Sequence, residues 1–122
     1  MISNSTGEFY GLPKPAQRER LALLLEEMGE ALQIIGKIER HGYASYDPTV
    51  TDAPDNAAML EKECGDVLHA ISLLVVCGDI DVKRLEARFK SRQNLAARYL
   101  HYLENIDANP SFLLAREETK NG

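Results

Sequence analysis

Four acidic residues, Glu27, Glu30, Glu63 and Asp66, carry the chemistry this sequence offers. They come as two pairs, each pair three residues apart, so each shares one face of its segment if that segment is helical. The first pair sits in residues 21–38, LALLLEEMGEALQIIGKI. At about 100° of rotation per residue, Leu21, Leu24, Leu25, Met28, Leu32 and Ile35 form an apolar stripe expected to be a core face. Leu23, Ile34 and Ile38 form a second strip on the other side. Glu27 projects between the bearings of Ile34 and Ile38, and Glu30 lies beside Leu23. The second pair repeats the pattern: Glu63 falls between Ala70 and Leu74, and Asp66 between Met59 and Leu73. Glu61 turns to the opposite side with Gly65 and Ser72. Glu26 is rotated about 100° from the other acids, which gives it a supporting or solvated place.

Carboxylates walled by aliphatic side chains need a cation, because an unpaired buried charge is costly. Two antiparallel helices that each present an acidic pair inward would set four carboxylates around one point. Hard oxygen ligands without His or Cys suit Mg²⁺ or Mn²⁺ rather than zinc. A di-iron carboxylate bundle would need Glu-x-x-His twice, whereas Asp66-Val-Leu-His69 occurs once. His69 is therefore expected on a helix surface or interface, His41 near a helix end and His101 on a late exposed face. A single acid pair at this spacing is usually a solvated helix face; two pairs on consecutive helices, each flanked by aliphatics, weigh against that explanation.

The elements that would position these acids follow from local signals. Residues 1–14 are polar and turn-rich and are expected to be a flexible arm, with Phe9 and Tyr10 able to dock it. Pro15 suits the first turn of a helix, predicted over residues 15–41 and stopped by Gly42. Residues 41–55, HGYASYDPTVTDAPD, are turn chemistry and long for a helical hairpin, which makes them a candidate lid or pocket wall. Tyr43 and Tyr46 there are stacking surfaces or simple anchors. Asp55 or Asn56 caps a second helix running to Cys77, broken by Gly78 and Asp79. A third helix, begun near Asp79 or Asp81, is predicted to reach about Asn105, with Val82, Leu85, Phe89, Ala96, Tyr99, Leu100 and Leu103 as an imperfect stripe. Asn109-Pro110 ends it. Residues 111–118 are expected to form a short last helix and residues 119–122 a frayed tail. No strand alternation is present, so the fold class is all-α: a bundle of three long helices, with residues 15–118 as one domain, completed by a second copy.

Composition sets the bounds. Lys and Arg number 14 against 19 Asp and Glu, a net charge of −5, which argues against a basic groove for duplex nucleic acid. Cys64 and Cys77 would be roughly 20 Å apart along one helix, too far to pair, and are expected to be reduced core thiols of a cytoplasmic protein. No signal peptide and no membrane-spanning apolar run is apparent.

Glu26-Glu27-Met28-Gly29-Glu30, followed by Glu63-Cys64-Gly65-Asp66-Val67-Leu68, resembles the EExxE and ExxD motifs of the MazG-like all-α nucleoside triphosphate pyrophosphohydrolases. The resemblance covers roughly residues 18–100, and the 33 positions between Glu30 and Glu63 are more than in many relatives, the extra length falling in the 42–55 loop. The resemblance implies that Glu27, Glu30, Glu63 and Asp66 hold Mg²⁺. It also implies hydrolysis of a nucleoside triphosphate between the α and β phosphates, in a dimer or dimer of dimers. Lys90, Asn94 and Arg98 recur every four residues on one helix face, with Tyr99 after them. They resemble a Lys-x-x-x-Asn-x-x-x-Arg-Tyr run that faces phosphate and sugar in several family members. Basic residues late in a helix also complement its dipole. Arg88 and Arg92 lie on an adjacent face, and Gln17, Arg18 and Arg20 are weaker candidates for substrate contact. By this account Glu27 or Glu30 orients or deprotonates the attacking water. Two rivals stand beside it: a helical dimer, regulatory or nucleotide-binding, whose acids are salt-bridged, and a phosphohydrolase acting on other pyrophosphate-containing substrates.

Overall fold

A computed structural model describes residues 10–102, whose regular structure is all helical, with no strand among them. In chain order the helices are α1 (Pro15–His41), α2 (Asn56–Val76) and α3 (Val82–Tyr99). The chain divides into two compact units, Met1–Val82 and Lys83–Gly122. The first holds the α1–α2 hairpin; the second holds nearly all of α3. The expected short last helix and tail lie outside the described residues.

The boundaries of α1 and α2 come from local chemistry. Pro15 opens α1, and the Lys14 amide donates to Gln17 Oε1 at 2.9 Å, satisfying an amide at the helix start. Gly42 stops it with φ of 90°, a conformation that a side chain would disfavour, and its amide donates to the Ile38 carbonyl at 2.7 Å. Asp55 caps α2 by accepting from the Ala58 amide at 2.9 Å. Gly78, φ 79°, turns the chain out of α2, while the Asp79 amide donates to the Leu74 carbonyl at 2.8 Å.

The hairpin is fastened at both ends. At the loop end, the amides of Asn56 and Ala57 donate to the carbonyls of Ser45 and Tyr43, each at 2.9 Å. The buried Asn56 side chain donates from Nδ2 to the Gly42 carbonyl at 3.0 Å. At the other end, Arg20 grips Asp79 through Nε (2.6 Å) and Nη2 (2.9 Å), and Gln17 adds a third donor at 3.3 Å. The Arg20 guanidinium, more than the Gln17 amide, holds the Asp79 carboxyl below its ordinary range. These two fastenings fix α1 and α2 antiparallel and set their register.

Three expectations need correction. The stripe read as a core face is not covered: Leu21, Leu25, Met28, Leu32 and Ile35 expose 44–74% of their surfaces. The buried apolar residues are Ile34, on the other strip of α1, and Ala70 and Leu74 of α2, the helix that α1 packs against. Two helices can cover only one face of each other. Cys64 and Cys77 are free, as expected, but exposed rather than buried in a core. Finally, α3 ends at Tyr99 and not near Asn105; nothing in the local sequence marks that stop.

Candidate metal centre

The register of the hairpin brings the two acidic pairs together. One ligand oxygen from each of Glu27, Glu30, Glu63 and Asp66 can be chosen so that all lie within 4.8 Å of one another. Glu63 is buried; Glu27, Glu30 and Asp66 are half-buried. Glu27 and Glu30 come from the strip of α1 that also carries Ile34. Glu63 comes from the face of α2 that carries Ala70 and Leu74, which is why a carboxylate ends up beside the core. Glu26 and Glu61 point to solvent, as their helix bearings predicted.

The electrostatics are those of crowded like charge. A hydrogen bond with Glu63, and then the negative charge of Glu27, raise the Glu30 carboxyl above its ordinary value. Oε2 of Glu27 and Oε2 of Glu63 are buried with no hydrogen-bond partner. A buried carboxylate oxygen without a partner is costly, and most such atoms in folded proteins are satisfied. The one cation paired with the cluster among the described residues is Lys62. Its Nζ lies 3.3 Å from Glu63 Oε1 and 3.2 Å from Asp66 Oδ2. Asp66, and after it Glu63, raise the Lys62 ammonium above its ordinary value.

A divalent cation fits this donor set. The ligands are all hard oxygens, they converge within a few ångströms, and two of them have unused buried oxygens. The side chains that would hold it are Glu27, Glu30, Glu63 and Asp66, the four singled out by helical spacing. Lys62 was missed. Its signal was present in the sequence, as a lysine next to Glu63 and one turn before Asp66.

Lys90, Asn94 and Arg98 are all exposed on α3, in the second compact unit. Their spacing places them on one face of that helix, and the Arg92 guanidinium stacks over the Tyr99 ring 5.1 Å from its centroid. Arg20 and Gln17, weak candidates for substrate contact, are engaged with Asp79 instead. The 42–55 loop does form a pocket wall. A cavity of about 380 Å³ is lined by Lys37 and His41 of α1, by Ser45, Tyr46 and Asp47 of the loop, and by Asn56 and Met59 of α2, among others. His41, His69 and His101 are exposed. No described helix is long and apolar enough to cross a membrane.

Compared with protein-family models, curated proteins and solved structures, the chain matches none of them.

Proposed function

We propose that this chain is a cytoplasmic, divalent-cation-dependent hydrolase of the MazG-like kind, cleaving a nucleoside triphosphate into a nucleoside monophosphate and pyrophosphate. The observation that carries this is the convergence of four carboxylates around one point, two of them with buried, unpartnered oxygens. Charge so arranged opposes folding unless a cation is present, and a site that tolerates it is selected for the cation.

When bound, Mg²⁺ or Mn²⁺ supplies neutralisation of phosphate charge and acidification of a coordinated water. The chain's own part follows from its side chains. Glu63 and Asp66 present α2's oxygens to the ion, and Glu27 and Glu30 present those of α1. Glu27 or Glu30, beside the ion, would orient the attacking water or take its proton. Lys90, Asn94 and Arg98, on one face of α3, form a row of donors of the kind that phosphate and sugar oxygens accept.

A second copy belongs to this proposal. Leu21, Leu25, Met28, Leu32 and Ile35 are spaced 4-3-4-3 along α1, a heptad seam that a partner helix fits. Their exposed area, at roughly 190 Å² per free aliphatic residue, is about 500 Å² per chain, so a two-fold pairing would bury about 1,000 Å², the lower bound for a specific interface. The flanking positions Ala22, Leu24, Gly29, Ala31, Gly36 and Ile38 are all uncharged. Pairing the seam with itself therefore brings no like charges together.

One observation favours a non-catalytic module with salt-bridged acids: Lys62 already bridges Glu63 and Asp66. A single exposed ammonium against four carboxylates is too little to make that the whole purpose. The deciding experiment is pyrophosphate release from a panel of nucleoside triphosphates with Mg²⁺, extended to other pyrophosphate-containing substrates. Turnover lost in Glu30→Gln, Glu63→Gln and Asp66→Asn, with helical content unchanged, supports the hydrolase. Near-normal release from any of the three overturns it.

A further inference from the structure

We infer that Lys62 is a built-in counter-ion of the four-carboxylate cluster, holding Glu63 and Asp66 in the metal-free protein and yielding them to a divalent cation. The inference rests on the metal-dependent function proposed above. Residues one apart on a helix diverge by about 100° and do not face each other. Lys62 nevertheless reaches Glu63 Oε1 at 3.3 Å while also reaching Asp66 Oδ2 at 3.2 Å. Its side chain must therefore lie across the mouth of the cluster, so that one ammonium spans both acids contributed by α2.

The exposures fit that position. The Lys62 side chain is 68% exposed and that of Glu63 only 11%, so the cation stands at the solvent edge and the acid behind it. Solvent screening makes such a pair weak, and the flexible stem lets the ammonium leave without moving the backbone. Lys62 engages one oxygen of Glu63 and leaves Oε2, like Oε2 of Glu27, buried without a partner. The cluster is thus partly neutralised and still short of positive charge. A divalent ion brings twice the charge and competes for the same oxygens of Glu63 and Asp66. The result is a site that stays folded without metal and binds metal less tightly than its four carboxylates alone would.

The test uses the full chain and Mn²⁺ alone. Affinity is measured by the free-ion electron paramagnetic resonance signal, and melting temperature is measured with and without saturating Mn²⁺. The variants are Lys62→Met, Lys62→Arg and, as a control for net charge, Lys37→Met on α1. Lys62→Met is expected to bind Mn²⁺ about threefold to tenfold more tightly than wild type. It should also melt lower without metal, yet match wild type when saturated, because removing the competitor costs only the metal-free state. Lys62→Arg should return the affinity toward wild type. A gain in Lys62→Met no larger than that in Lys37→Met would reduce the effect to net charge and overturn the inference. Mn²⁺ binding lost in Glu63→Gln but unchanged in Lys62→Met would overturn the counter-ion role alone. No saturable Mn²⁺ binding by wild type would remove both this inference and the metal-dependent function.

Discussion

Replacing Glu63 by glutamine separates a metal site from a structural ion-pair network by the sign of one measurement. The side chain keeps its shape, loses its charge and gains an amide donor. Its ligand oxygen lies within 4.8 Å of oxygens on three other acids. Two unit charges at that separation repel by about 3.5 kcal/mol at an effective dielectric of about 20, and by about 0.9 kcal/mol in bulk water. The cluster is half open to solvent, so the lower part of that range applies to each pair. Against the relief stands the lost contact with Lys62, which is weak because its ammonium is exposed and screened by solvent. The net expectation is a metal-free variant more stable than wild type by about 1–2 kcal/mol, or about 3–8 °C in melting temperature. Were the acids present as a buried salt-bridged network, removing one partner would instead destabilise by about 3–5 kcal/mol. The assay is thermal unfolding followed by circular dichroism, after chelation and again with excess Mg²⁺. Wild type should gain stability from Mg²⁺ and the variant should not, so their order reverses. A metal-free variant that melts below wild type, or one that Mg²⁺ stabilises as much as wild type, would refute the reasoning.

Two further outcomes follow from the same geometry. Leu25→Glu with Leu32→Glu places charge in the middle of the exposed seam of α1, where both side chains are mostly exposed. Sedimentation should show the particle mass falling to that of one chain with helical content retained, and an unchanged mass would exclude this seam as the interface. In the metal-free protein, Glu30 and Asp79 give opposite dependences on pH. Glu30 has a raised carboxyl, so its stabilising contribution is full below the unfolded glutamate value, about 4.3, and is lost as pH rises through the folded value. Asp79 has a lowered one, so its contribution is present above the unfolded aspartate value, about 3.9, and is lost as pH falls through the folded value. Melting temperature against pH should therefore decline toward neutrality as well as in acid. Glu30→Gln should flatten the first limb and Asp79→Asn the second, and a profile unmoved by either would contradict these assignments.

What the sequence made legible and what it concealed divide along one physical line. Helix limits at Pro15, Gly42, Asp55 and Gly78 are set within a few residues of chain, and the structure places them there. The four acids were found because a rigid helix converts spacing into bearing, and two bearings on an antiparallel pair can be superposed. Lys62 escaped the same geometry because a long, flexible side chain is not confined to the bearing of its Cα. Arg20 and Asp79, 59 positions apart, left no local trace of their pairing. The stripe from Leu21 to Ile35 reads as a core face and is exposed instead, because periodicity says only that burial is favourable and is silent on what supplies it. The α1–α2 hairpin closes on the strip that contains Glu27 and Glu30, although the other stripe of α1 is wholly apolar. That choice leaves Glu63 buried along with Ile34, Ala70 and Leu74, at a cost in charge desolvation. Under the function proposed above the observed pairing has a reason, since it leaves the acids together for a cation and the apolar stripe free for a second helix.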